Sequence, residues 1–173
     1  MCKRKIKKGE IMTFNIQDYT KAPLKMECKI HFEGNSAQEV FDILGNPELI
    51  TEWYLLAEDV RMHPAKDGEE ASFNVVFTFF GDVYEEVLHW EPPLRYVYLA
   101  QGPNFPIKDY VAEIEVIADE NNNGIMTWRL FYQDIEGPQF KKIIPVLIPA
   151  MNEASMHKLS EFIGGTIVEC ITY

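Results

Sequence analysis

Two adjacent carboxyls, Glu85 and Glu86, lie in the stretch GDVYEEVLHW (residues 81–90), among aromatic and β-branched neighbours. Side chains alternate between faces along a strand, so one carboxyl of such a pair faces an apolar interior and the other faces out. Which one depends on the turn before them. A two-residue hairpin loop at Gly81-Asp82 pairs Phe80 with Val83. It then sets Phe79 opposite Tyr84, Phe77 opposite Glu86, Val75 opposite Leu88 and Phe73 opposite Trp90. That face is the more aromatic, so Glu86 is expected inside. Desolvation there raises a carboxyl pKa toward that of a general acid or base, and a neighbouring tyrosine would orient a carbonyl or phenol beside it. A slip of one residue would instead expose Glu86 and bury Glu85.

The alternation extends to further strands and collects Tyr96, Tyr98, Tyr110, Met126, Trp128 and Tyr132 on the same face. With Trp53 from a short helix and Leu147 and Met151 from a long one, these rings form the expected lining of a small-molecule pocket. A solid core built from the same residues is the competing reading. Other chemistry has little support. The chain has no GxSxG elbow, no phosphate-binding glycine loop, no HExxH and no histidine cluster. Glu153 and His157 stand i, i+4 on a helix, but about 200° round from Met151 at 3.6 residues per turn, hence toward solvent. Neither a metal nor a cofactor is expected. Asp109, Glu113, Glu115 and Arg129 resemble an outer-face charge ladder, with the pocket mouth as the alternative place for Asp109.

The elements that must carry these residues are well punctuated. Met26, Cys28, Ile30 and Phe32 alternate with polar residues as a half-buried strand that ends at Gly34-Asn35. Ser36-Ala37-Gln38-Glu39 is a capping box, followed by an apolar helical face of Val40, Phe41, Ile43 and Leu44. Gly45 stops that helix, and Asn46-Pro47 starts a second with Leu49, Ile50 and Trp53 buried. Six strands with short links follow: 57–63, 71–80, 83–90, 94–100, 107–118 and 125–134, an antiparallel meander. A last helix runs from near Gly137-Pro138 to Gly164-Gly165. Its stripe is Phe140, Ile144, Leu147, Ile148, Met151, Ser155, Leu159 and Phe162, with Pro145 and Pro149 expected to kink it or delay its start.

At 173 residues, 47% hydrophobic and 13% aromatic, the chain supports one domain with a sizeable core. A net charge of −11 repels phosphate backbones and anionic lipid, which argues against nucleic-acid and membrane partners. No apolar run approaches the roughly 20 residues of a membrane span. Three cysteines without CxxC spacing, and no secretory apolar segment, suggest a reducing cytoplasm, with Cys28 a small buried hydrophobe. Residues 1–11 carry five of the sixteen basic residues. Lys-Lys-Gly-Glu-Ile-Met also reads as a back-translated ribosome-binding site before an ATG. Residues 1–11 are therefore expected to be a non-native or disordered extension that packs against nothing, ahead of a single domain over 12–173 that starts functionally at Met12.

The succession SAQEVFDILGNPELITEW, GDVYEEVLHWEPPLRYVYL, FPIKDYVAEIEVI and GIMTWRLFY resembles the START/Bet v 1-like (SRPBCC) superfamily, above all its polyketide cyclase/dehydrase and lipid-transport group. The likeness spans about residues 24–165 and implies an α+β helix-grip fold. In that fold a seven-stranded curved antiparallel sheet wraps a long C-terminal helix, with two short helices after the first strand. It implies binding of a lipid, quinone, polyketide or aromatic compound in an internal cavity. One alternative is an aromatase/cyclase- or dehydratase-type enzyme using Glu86 and a tyrosine. Another is a partner-binding protein like the Hsp90 activators, for which NPELITEWY would be the mark.

Overall fold

Buried and open positions alternate strictly along β1 (Leu24–Glu33), whose Met26, Cys28, Ile30 and Phe32 point into the core. The computed structural model describes residues 14–63, 72–133, 135 and 137–173. The expected 1–11 extension and the link at 64–68 lie outside the described residues. After Gly34, at φ +83°, the chain turns into α1 (Ala37–Leu44). The Ser36 hydroxyl accepts from the Glu39 backbone N–H, and the Glu39 carboxylate accepts from the Ser36 N–H. A short 3-10 turn capped by Asn46 leads into α2 (Ile50–Trp53), which buries Ile50 and Trp53.

The strands β2 (Ala57–His63), β3 (Ser72–Phe77), β4 (Gly81–Glu91), β5 (Arg95–Gln101), β6 (Tyr110–Ala118) and β7 (Asn123–Phe131) pair antiparallel in sequence order. α3 (Phe140–Phe162) crosses the concave face and buries Ile144, Ile148, Met151, Met156 and Leu159. This is the helix-grip α+β fold, with one strand more than seven. β8 (Gly165–Thr172) pairs with the free edge of β1, giving the order β2-β3-β4-β5-β6-β7-β1-β8. Its β-branched run Thr166-Ile167-Val168 after a Gly-Gly turn was the available signal. β8 also brings Cys170 opposite Cys28 in a disulfide, so Cys28 is a cross-link and not merely a small hydrophobe.

α3 runs through both prolines without a break or a late start. The carbonyls that lose their donors belong to Lys141 and Pro145, on exposed turns where water reaches them. The buried stripe is shifted slightly from the expected one: Asn152 and Met156 are inside, Leu147 is half-buried and Phe162 is exposed.

Candidate functional site

The two helices between β1 and β2 form one wall of a cavity of about 300 Å³, and the concave sheet forms the other. Leu44, Gly45, Pro47, Ile50, Trp53 and Tyr54 come from the helical side. The sheet supplies Met62, Phe73, Phe77, Glu85, Val87, Trp90, Tyr96 and Tyr98. Here lies the reason helices interrupt the sheet after its first strand: they close one end of it.

Hydrogen bonds fix the wall. The Tyr96 hydroxyl donates to the Leu44 carbonyl at 2.8 Å, tying β5 to the end of α1. The Tyr54 hydroxyl donates to Asn152 Oδ1, and the Leu55 N–H donates to Ser155 Oγ at 2.8 Å, so the chain leaving α2 is pinned to α3. Gly45 permits a close approach: a Cβ there would lie 2.4 Å from the tip of the Trp90 ring. Trp90 in turn packs edge-on against Phe41, with centroids 4.9 Å apart.

Among the described residues one carboxyl lines the cavity, and it belongs to Glu85. The β3–β4 turn holds three residues, Thr78-Phe79-Phe80, between the paired Phe77 and Gly81. Gly81 takes the left-handed conformation (φ +65°) that closes such a turn instead of opening a two-residue loop. Against the expected pairing the register therefore shifts by five residues, an odd number that exchanges the two faces, and Val83, Glu85 and Val87 face inward beside Phe73, Val75 and Phe77. Glu86 lies on the opposite face, paired with Ser72 and Leu99. The expected catalytic position at Glu86 is thus corrected to its neighbour. Tyr84 turns outward opposite Asn74, with its ring near His63, and Phe79 at the turn tip is 63% exposed. Trp90 faces the cavity all the same, because a bulge between Val87 and His89 resets the alternation.

Glu85 makes no hydrogen bond or ion pair with the described residues. Its remaining accessible surface faces the cavity it lines. Burial alone pushes its pKa up to about 8, so it is mainly protonated at neutral pH. Burial also raises the hydroxyls of Tyr54, Tyr96, Tyr98 and Tyr110, with the charge of Glu85 a further cause in each.

Of the expected lining, the structure brings Trp53, Phe73, Phe77, Trp90, Tyr96 and Tyr98 to the cavity. Tyr110 and Met151 line a smaller adjoining space of about 20 Å³, which shares Tyr54, Phe77, Glu85 and Tyr98 with the larger one. Met126 and Trp128 are solid core; Trp128 packs edge-on against Trp53 at 5.9 Å. Tyr132 stacks on Tyr110 away from the cavity, and Leu147 is outside the lining. Sequence reasoning missed Tyr54, Met62 and Val87. Tyr54 was the most accessible of these, as the aromatic residue directly after the second helix.

On the outer face Arg129 bonds Glu27 at 2.7 Å, Glu115 at 3.2 Å and Glu113 at 3.3 Å. Arg95 joins Glu113 and Glu115, and Lys29 joins Glu169 at 2.6 Å. Asp109 stands apart from this network, at φ +54° just before β6, in an open groove away from the cavity mouth. Glu153 and His157 are exposed on α3.

The model of the family described as polyketide cyclase / dehydrase and lipid transport matches residues 24–162. No curated protein matches the sequence significantly. Among solved structures, a hypothetical protein from Helicobacter pylori is similar at TM-score 0.66 and 12% identity, over 92% of this chain and 99% of that one. A START superfamily protein from Mycobacterium smegmatis gives TM-score 0.58 at 11% identity, over 80% and 99%. A norcoclaurine synthase point mutant from Thalictrum flavum, solved with a transition-state analogue, gives 0.59 at 13%, over 83% and 96%. At these identities the likeness is one of fold. Among the described residues no helix is long and apolar enough to cross a membrane.

Proposed function

The chain belongs to the polyketide cyclase/dehydrase and lipid transport family, and from that premise we propose that it binds a hydrophobic small molecule in the cavity between α1, α2 and the sheet. The observation that carries this reading is the 300 Å³ aromatic chamber itself, of a size usual for ligand sites. A core meant only for stability would fill that volume, since voids in packed interiors are costly. Isothermal titration with naphthalene tests it. Wild type should bind, and Val87→Phe, which fills the chamber, should weaken binding at least tenfold. Equal affinities would refute the site.

One observation favours a second reading, a cyclase- or dehydratase-type enzyme. A carboxyl with a pKa of about 8 keeps its proton at neutral pH and can donate it to a substrate oxygen. Glu85 would then be the acid–base group, with Tyr98 beside it. Loss of turnover by roughly 10²–10⁴ in Glu85→Gln would support this reading.

The cytoplasmic assignment is retained only with the Cys28–Cys170 bond open, because reducing compartments keep thiols reduced. Alkylation of free thiols at the moment of lysis decides it.

A further inference from the structure

We propose that the cavity is built for a ligand carrying a protonated amine on an apolar, aromatic-sized body, with the ammonium seated on Glu85. This rests on the hydrophobic-ligand reading above and narrows it to a substrate class.

The argument starts from which lone pairs and protons the cavity has left over. Tyr54 spends its hydroxyl proton on Asn152, and Tyr96 spends its own on the Leu44 carbonyl. Both oxygens then present lone pairs only. Among the described residues Glu85 is the one carboxyl in the lining, and no described Lys, Arg or His shares the chamber with it. The indole N–H of Trp53 is a leftover donor in the same lining, but against it stand the oxygens of Tyr54, Tyr96 and an ionised Glu85, so acceptors are in the majority and a donor-rich group suits them. An ammonium brings three N–H donors and the missing positive charge. The rings of Trp53, Phe77 and Tyr98 line the same chamber, and a ring face met by the ammonium adds cation–π attraction, which is strongest where water is excluded. A carboxylate or phosphate ligand meets repulsion from Glu85 once that group ionises, and from the acidic chain as a whole. Glu85 also sits where the large chamber meets the small one, so the body of the ligand has apolar wall on both sides of the charge.

Among the described residues the titratable groups facing Glu85 are Tyr54 after α2, Tyr96 and Tyr98 on β5, and Tyr110 on β6, all held neutral by burial. β2 and β3 supply Met62, Phe73 and Phe77, and α3 supplies Ile148 and Met151, none of them ionisable. Binding a cation thus requires Glu85 to give up its proton to solvent. One proton leaves per ligand bound, so affinity falls roughly tenfold for each pH unit below about 8.

The experiment is titration calorimetry of the wild-type protein and Glu85→Gln with naphthylethylamine, naphthylethanol and naphthalene from pH 6 to 8.5. The expected result is at least tenfold preference for the amine over the alcohol at pH 8.5. That preference should weaken toward pH 6 and fall to near unity in Glu85→Gln. Equal binding of amine and alcohol, or amine affinity that rises as pH falls, overturns the amine class while leaving the hydrophobic chamber in place. Failure of all three probes overturns the chamber reading and the amine with it. If Glu85→Gln does not fold, the wild-type amine-to-alcohol ratio and its pH profile decide alone.

Discussion

Glu85 is a group the fold keeps uncharged against its ordinary tendency. Its carboxyl ionises near 4.5 in the unfolded chain but only near 8 when folded. Between those values the native state holds a proton that the unfolded state has lost, so this residue's contribution to stability is present below 4.5 and drains away as pH rises to 8. Glu85→Gln should therefore melt progressively higher than wild type from pH 5 to 8 and hold a constant margin above that. The limiting slope is about 1.4 kcal/mol per pH unit. A margin independent of pH would mean that Glu85 is solvated. Tyr54→Phe probes the anchor between α2 and α3. It strips Asn152 Oδ1 of its donor in a site where Asn152 Nδ2 already lacks a partner. Thermal or urea unfolding should show a loss of about 1–3 kcal/mol.

At the scale of elements, the β3–β4 turn decided what the sequence could reveal about the site. The strand pattern of residues 71–90 is compatible with either carboxyl inside. Only the left-handed Gly81 and the three-residue turn separate the two, and the sequence Phe-Phe-Gly-Asp admits both turn lengths. The bulge before His89 then hides the error by returning Trp90 to its expected face. By contrast β1, the capping box of α1, Asn46-Pro47 and α3 were legible, because each rests on local chemistry and not on the choice between two registers. β8 went unread because half its positions are open to solvent on both faces, which blurs the alternation. The close fit of α1 against β4 yields a further test. Gly45→Ala pushes its methyl into the Trp90 ring, and the ring, being already partly exposed, swings out. Tryptophan emission should shift to the red and the affinity for naphthalene should drop several-fold. Unchanged emission would show that the helix end moves instead.

Across the whole molecule, the convex face is tied together by charge and the free edge by a covalent bond. Glu113 is buried enough that desolvation lifts its pKa despite Arg129 and Arg95 beside it. Arg129→Met should therefore cost about 3–5 kcal/mol, as expected when one partner of a buried pair is removed. The deficit should grow as pH rises and the abandoned carboxyl is forced to ionise, and a denaturant series at pH 5 and pH 8 measures both. The Cys28–Cys170 bond spans 142 residues, and cross-links closing loops that long stabilise by about 2–5 kcal/mol; a fall in melting temperature on adding dithiothreitol checks it. The same bond governs how the structure can open. β8 follows α3 after a single turn, and Asn35 from the end of β1 donates to the Ile163 carbonyl at 2.8 Å. The C-terminal end of α3 is therefore held to β1 through its cap, the strand ladder and the disulfide. Its other end contains both prolines and has two fewer backbone hydrogen bonds. The helix is thus held most firmly near Phe162, and its proline-containing half covers the small chamber through Ile148. Amides before Ala150 should exchange faster than those after it, and the gradient should flatten when the disulfide is reduced. A guest too long for the resting cavity would find its extra room under that half of α3 if the exchange gradient shows that it opens.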